Sequence, residues 1–154
     1  MYIPVRFKAY ELVDKATYDV IGADAFNMID PRLLEFIDAL SFALERHHKR
    51  RIRLICNNWY WHKDPTATDY FQWRGLRTKM YHVYSRTSYH SKKPCQALDM
   101  HSPDISSTAL IDFVLTNQDE DWCKSIGGVE MGVNWLHADL RPRLPNGRIF
   151  TFRV

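Results

Sequence analysis

The chain has 154 residues, enough to bury one sizeable core and no more, so a single domain spanning residues 1–154 is expected. Its composition, 45% hydrophobic and 25% charged, is that of a globular protein rather than a disordered or fibrous one, and 14% aromatic is on the rich side. A net charge of +3 is too small, without a basic stripe, to argue for a nucleic-acid partner.

The three cysteines, Cys56, Cys95 and Cys123, are odd in number and form no CxxC pair, which argues against a disulfide scaffold and fits a reducing compartment. The N-terminus has no apolar signal-like core, and no apolar run reaches the length of a membrane span. The expectation is synthesis in the cytoplasm without a signal peptide and no membrane partner. Action outside that compartment would then need delivery by another factor.

Residues 1–27 show no defensible period. Asp30-Pro31 reads as an N-cap with proline at the first helical position, and Leu33, Ile37, Leu40 and Leu44 follow at helical spacing, predicting a helix over 31–48. Its cationic end, residues 47–51, suits the negative end of a helix dipole; a phosphate-binding patch is the less favoured reading. Residues 51–57 alternate and predict a strand with Ile52, Leu54 and Cys56 on one face. A loop heavy in aromatics occupies 58–70, and Gly75 between Arg74 and Arg77 predicts a turn. Residues 96–101 alternate again, with Ala97, Asp99 and His101 on one face. Ser106 or Ser107 caps a second helix through about Asn117, whose buried side is Leu110, Phe113 and Val114.

Strand character returns over 129–140, where Trp135, His137 and Asp139 share a face. Asn146-Gly147 predicts a hairpin turn, and residues 149–154 a returning strand. The expected class is therefore α+β, a small antiparallel sheet flanked by helices.

A histidine, a carboxylate and a distant histidine suit a catalytic zinc site, because three protein ligands leave one position open for water. His90 and Asp99 on one stretch and His137 on another supply that set. Seven histidines make a chance trio easy, so spacing alone is poor evidence. Order adds more. The fragments Tyr10-Glu11-Leu12-Val13, Ile29-Asp30-Pro31-Arg32-Leu33-Leu34, Asn57-Asn58-Trp59, Arg74-Gly75-Leu76-Arg77, Ser88-x-His90, Ala97-x-Asp99 and Trp135-Leu136-His137-x-Asp139 occur in sequence along most of the chain.

Together they resemble the zinc D-Ala-D-Ala carboxypeptidase and L-alanyl-D-glutamate endopeptidase superfamily, which shares its fold with the hedgehog signalling domain. Within it the chain resembles the small peptidase-like proteins of bacteriophages. The resemblance implies that His90, Asp99 and His137 hold Zn2+ and that Arg77 grips the substrate's carboxylate with its two-pronged guanidinium. It also implies a peptidase that hydrolyses peptidoglycan stem peptides, as a carboxypeptidase or an endolysin, with a metal-activated water attacking the amide.

The chain departs from the family pattern at three points. The family base is often three positions before the last histidine, where this chain has Asn134, which cannot take a proton. Glu130, seven positions before His137, is nominated instead, on condition that residues 131–134 turn. Eight residues separate His90 from Asp99, two more than the family pattern has. Cys95 stands where the family has glycine, so either cysteine is strained at a positive φ or the longer loop removes that requirement.

Several residues carry two readings. His101 either orients a ligand or is a partly exposed strand-end histidine, and Asp139 either braces a ligand or pairs with Arg141 as a structural ion pair, the preferred reading. Cys95 is preferred as a structural thiol over a zinc thiolate. Residues 59–61 either wall the substrate groove or, for Trp59 especially, pack in the core. The alternative to an enzyme is a catalytically inactive zinc-binding member of the fold, acting as a cell-wall-binding or virion structural protein, and Asn134 is the residue that favours it.

Overall fold

The longest helix forms where the sequence places it. A computed structural model describes residues 2–80 and 85–153. In it α2 is Pro31–His48, preceded by α1, Lys15–Ile21. Asp30 caps α2 by accepting from the Arg32 amide, and Lys49 ends it in the left-handed conformation at φ 55°. Leu33, Ile37, Leu40 and Leu44 are all buried, with Phe36 and Ala43 beside them. Helix α3, Ser107–Thr116, starts where the Ser106 side chain accepts from the Ala109 amide, and it buries Leu110, Ile111 and Val114 while Phe113 packs at the edge.

Four short strands, β1 (Ala97–Met100), β2 (Gly128–Glu130), β3 (Leu136–Asp139) and β4 (Phe150–Phe152), form one sheet in the order β1-β3-β2-β4. The class is α+β, with three α-helices against a mixed sheet. Buried side chains from the helices, the sheet and residues 52–56 form one cluster. No helix among the described residues is long and apolar enough to cross a membrane.

Four expectations need correcting. The sheet is not wholly antiparallel: β3 pairs antiparallel with both β1 and β2, but β4 runs parallel to β2. The turn at Asn146-Gly147 forms, with the Gly147 amide bonded to the Leu144 carbonyl at 2.8 Å. The chain leaving it passes to the free edge of β2 instead of pairing back on β3, and Val154 lies outside the described residues. Strand character over 129–140 is interrupted by a bend between β2 and β3, where Gly132 sits at φ +83°, a conformation a side chain would strain.

Residues 51–57 bury Ile52, Leu54 and Cys56 as their alternation predicts, yet form only one antiparallel bridge, Ile55 to His101. Two of their other amides are taken elsewhere: Arg53 N–H by the Asp104 carboxylate at 2.8 Å and Asn57 N–H by the Glu11 carbonyl at 2.9 Å. Helix α1 was not expected because none of its residues is buried, so no apolar stripe announces it; Asp14 caps it through Thr17.

The N-terminal segment is held by a buried carboxylate on α2. Asp38 accepts from Tyr2 Oη at 2.9 Å and from the amides of Val5 and Arg6 at 2.6 and 2.8 Å. Asp38→Ala would strand these donors and is expected to lower stability by about 3 kcal/mol, read by urea denaturation, against less than about 0.5 kcal/mol for Val20→Ala on the exposed surface.

Candidate metal centre

The segment 74–77 is the brace on which the centre is built. Gly75 lies so close to the loop before α1 that an added Cβ would stand 1.8 Å from the Leu12 carbonyl oxygen, so no side chain fits there. Around that position three backbone groups of the segment are directed to the site. The Arg74 carbonyl accepts the Asp99 amide at 2.6 Å, the Gly75 carbonyl lies 2.8 Å from His90 Nδ1, and the Arg77 amide donates to the His90 carbonyl at 3.0 Å. Asp99 and His137 face one another across the β1–β3 ladder as a register pair, so the pleat carries both to the same face. His90 comes from the short helical turn Tyr89–Ser91.

These three side chains are buried and their ligand-capable atoms lie within 4.8 Å of one another. Asp99 Oδ1 is 2.7 Å from His137 Nδ1 and 3.3 Å from His90 Nε2, and the two ring nitrogens are 3.3 Å apart. Among the described residues this is the group able to hold a metal ion. The chemistry of the donor set fits one: two imidazoles and one carboxylate converge, and the far side of each is tied to a partner of its own. His90 Nδ1 faces the Gly75 carbonyl, His137 Nε2 lies 3.1 Å from Asp139 Oδ2, and Arg77 Nη2 donates to Asp99 Oδ2 at 2.7 Å. Such outer contacts fix which nitrogen or oxygen is presented inward.

Electrostatics follow from the same contacts. Burial alone would raise the Asp99 pKa, but the imidazoles of His90 and His137 outweigh it and hold the carboxyl well below its usual range. For His137 burial opposes the charged ring, and hydrogen bonds to Asp139 and Asp99 overcome it, pushing the metal-free value up to about 9. Asp139 is buried too, yet its bonds to His137 and Arg141 keep its pKa low. Arg141 grips it at both oxygens, with Nε 2.9 Å from each. Asp139 therefore both orients a histidine and makes the ion pair, uniting two readings of the sequence.

The remaining nominated residues fall as follows. Glu130 ends β2, one residue beyond the Val129–Ala138 pair, and so shares the sheet face of His137 and Asp139. It lines a cavity of about 440 Å³ together with His90, His137, Asp139 and Arg141. Its nomination depended on a turn over residues 131–134; the chain bends over 132–135 without a turn hydrogen bond among the described residues. Asn134 lies in that bend, its backbone carbonyl bonded to Ser107 Oγ, and it lines a different cavity with Thr108, Ile111 and Met131.

Arg77 is at the site, but its guanidinium edge is already engaged: Nε donates to the Trp73 carbonyl at 2.9 Å and Nη2 to Asp99. The side chain expected to grip substrate braces the Asp99 carboxylate. Cys95 has no positive φ, so cysteine is unstrained there; its thiol donates to the Ala97 carbonyl at 3.2 Å, and burial pushes its pKa to about 12. It is a structural thiol. His101 turns its Nδ1 to Arg74 at 2.6 Å. Burial first, and the Arg74 charge second, hold its pKa below the ordinary value.

The aromatic run 59–61 does not wall this site. Trp59 donates its indole N–H to the Val13 carbonyl at 2.8 Å, and Tyr60 and Trp61 line a separate cavity with Arg6 and Ile52. The aromatics lining cavities beside the centre are Tyr70, Phe71, Trp73 and Trp135 next to Asp99, and Tyr89 and Phe152 next to His90 and His137. The Asn57 and Asn58 side chains fasten that loop, bonding the amides of Arg74 and Phe71. Arg74, which the sequence marks only as part of the 74–77 segment, also lines the cavity beside Asp99.

No protein-family model, curated protein or solved structure matches this chain.

Two outcomes are expected. Gly75→Ala forces the Leu12 carbonyl and the 74–77 brace apart, so it should lower stability by about 3 kcal/mol and weaken metal binding in equilibrium dialysis at least tenfold. Because the folded pKa of His137 lies above its unfolded value, its contribution to metal-free stability is full below about pH 6.5 and is lost as pH rises through about 9. Urea melts of chelated protein should show that loss, Asp139→Asn should move it to lower pH, and zinc affinity should tighten across the same window as the competing proton leaves.

Proposed function

We propose that the chain is a zinc-dependent peptidase of the hedgehog and D-Ala-D-Ala carboxypeptidase fold, hydrolysing peptidoglycan stem peptides. The observation that carries the reading is the buried convergence of His90, Asp99 and His137 beside a cavity that also carries Glu130. Two neutral imidazoles and one carboxylate leave a bound Zn2+ with net charge +1, a Lewis acid able to activate water and polarise an amide carbonyl.

The residues of the chain divide the remaining work. His90 and His137 are held in fixed ring orientations by Gly75 and Asp139, and Asp99 is limited to one inward oxygen because Arg77 occupies the other. Glu130, half-buried on the cavity wall, is placed to take a proton from the attacking water and return it to the leaving amine. Tyr89, Arg141 and Phe152 line the same cavity and supply polar and aromatic contacts for a peptide.

A second reading keeps the fold and metal without hydrolysis, as a cell-wall-binding or virion structural protein. Asn134 at the usual base position favours it, since an amide cannot accept the proton. The two readings part on one variant. Purified protein should hold about one zinc and cleave a muropeptide, and Glu130→Gln should reduce turnover by at least about 100-fold with zinc content unchanged. Zinc retained by the wild type with no cleavage of any stem peptide would rule against the enzyme.

A further inference from the structure

The cavity lined by Tyr60 and Trp61, of about 270 Å³, shares no residue with the two cavities beside the metal centre. It takes up two features of the sequence that the centre leaves unused, the aromatic run 59–61 and the cationic stretch 47–51. Alternation over 51–57 builds it: Ile52 and Leu54 are buried and join Phe7 as its apolar side, while Arg51 and Arg53 are exposed. Its three cations differ. Arg6 is paired with Glu45, and Arg53 with Asp104 at 2.8 Å. Arg51 has no hydrogen-bond or ion-pair partner among the described residues. Trp61 is 48% exposed, and Tyr60 packs perpendicular to it with 4.4 Å between ring centroids, which holds the indole without covering it. Ser41, only 6% exposed, brings a hydroxyl with no partner among the described residues. Glu11 brings a carboxylate that accepts from Tyr60 Oη at 3.1 Å and from the Lys8 amide at 2.7 Å, one donor per oxygen, so each can accept another.

An exposed indole, a carboxylate with room to accept, a buried hydroxyl and one unpaired guanidinium complement a ring with an apolar face, several hydroxyls and a single acid group. A wholly apolar ligand would strand the carboxylate and the hydroxyl away from water. A polyphosphate chain would be repelled by Glu11 and would find only one free cation. We propose that this cavity binds an acidic saccharide, seating one uronate ring of a longer chain. The C–H face of the ring lies on Trp61, its hydroxyls bond Glu11 and Ser41, and its carboxylate receives the Arg51 guanidinium. At about 270 Å³ the cavity stands at the small end of ligand sites, which suits one ring with its neighbours lying over the surrounding surface. Binding there needs neither metal nor hydrolysis, so it would hold the protein to an anionic polysaccharide whatever the metal centre does.

The test titrates the full chain by calorimetry with tetragalacturonate and with its methyl ester, the same rings without the charge. The wild type is expected to bind the acid at least about tenfold more tightly than the ester, the effect of a charge-assisted hydrogen bond. Arg51→Gln should bring the two within about twofold of each other, and Trp61→Ala should weaken both by about fivefold with their ratio unchanged. Both residues are exposed, so both variants should keep the wild-type urea melt. Arg46→Gln removes an exposed cation of α2 that does not line the cavity, and it should leave both affinities as they were. Chelation of the protein should change none of these results. Binding of neither probe, or an acid preference that survives Arg51→Gln, overturns the proposal. Equal losses in Arg46→Gln and Arg51→Gln overturn it in favour of general attraction to a basic surface, and a preference abolished by chelation overturns it because the carboxylate then sits on the metal. A single-stranded oligonucleotide bound more tightly than tetragalacturonate overturns it in favour of nucleic acid.

Discussion

A single buried carboxylate organises this protein. Asp99 lies inside the fold, where an isolated charge would be expelled or neutralised, and it stays ionised because His90, His137 and Arg77 converge on it. Its two oxygens have separate duties. One faces the histidines and is the oxygen offered to a metal; the other is held by Arg77. Removing any one of these partners leaves a charge with too little compensation, so the site is assembled as a unit.

The backbone of residues 74–77 makes that assembly possible. It runs close against the Leu12 carbonyl and bonds at successive positions to Asp99 and His90. Around it Asn57 and Asn58 tie the aromatic loop in place, and Asn57 also reaches Val13. The N-terminal third of the chain thus supports the centre although it contributes no ligand to it. The β1–β3 register does the rest, because a pleated ladder aims Asp99 and His137 in one direction without loop geometry to adjust.

Legibility varied with how local the signal was. Helices α2 and α3 were readable since cap, proline and apolar spacing all act within a few residues. Helix α1 was not, since it buries nothing and its one local signal is the Asp14 cap. The alternation over 51–57 reported burial correctly and pairing wrongly: period two records which side chains go inward, while the ladder depends on whether another strand is free to bond. Asn146-Gly147 likewise announced a turn but not the partner of the strand that follows, which passes β3 and lies parallel to β2.

What the sequence by itself determined is the set of chemical groups and the faces that carry them. His90, Asp99 and His137 were readable from residue type and order as a group that could hold a metal, because ligand chemistry belongs to the side chain, and strand alternation fixes the side of Asp99 and His137. Only the tertiary structure decided how those groups are shared out. It gives Arg77 to Asp99, binds Asp139 to both His137 and Arg141, sends His101 to Arg74, and puts Phe71 and Trp73, rather than residues 59–61, beside the centre. The physical reason is that hydrogen bonds and ion pairs are satisfied by whichever partner lies nearest in space, and for these residues most partners are tens of positions away along the chain.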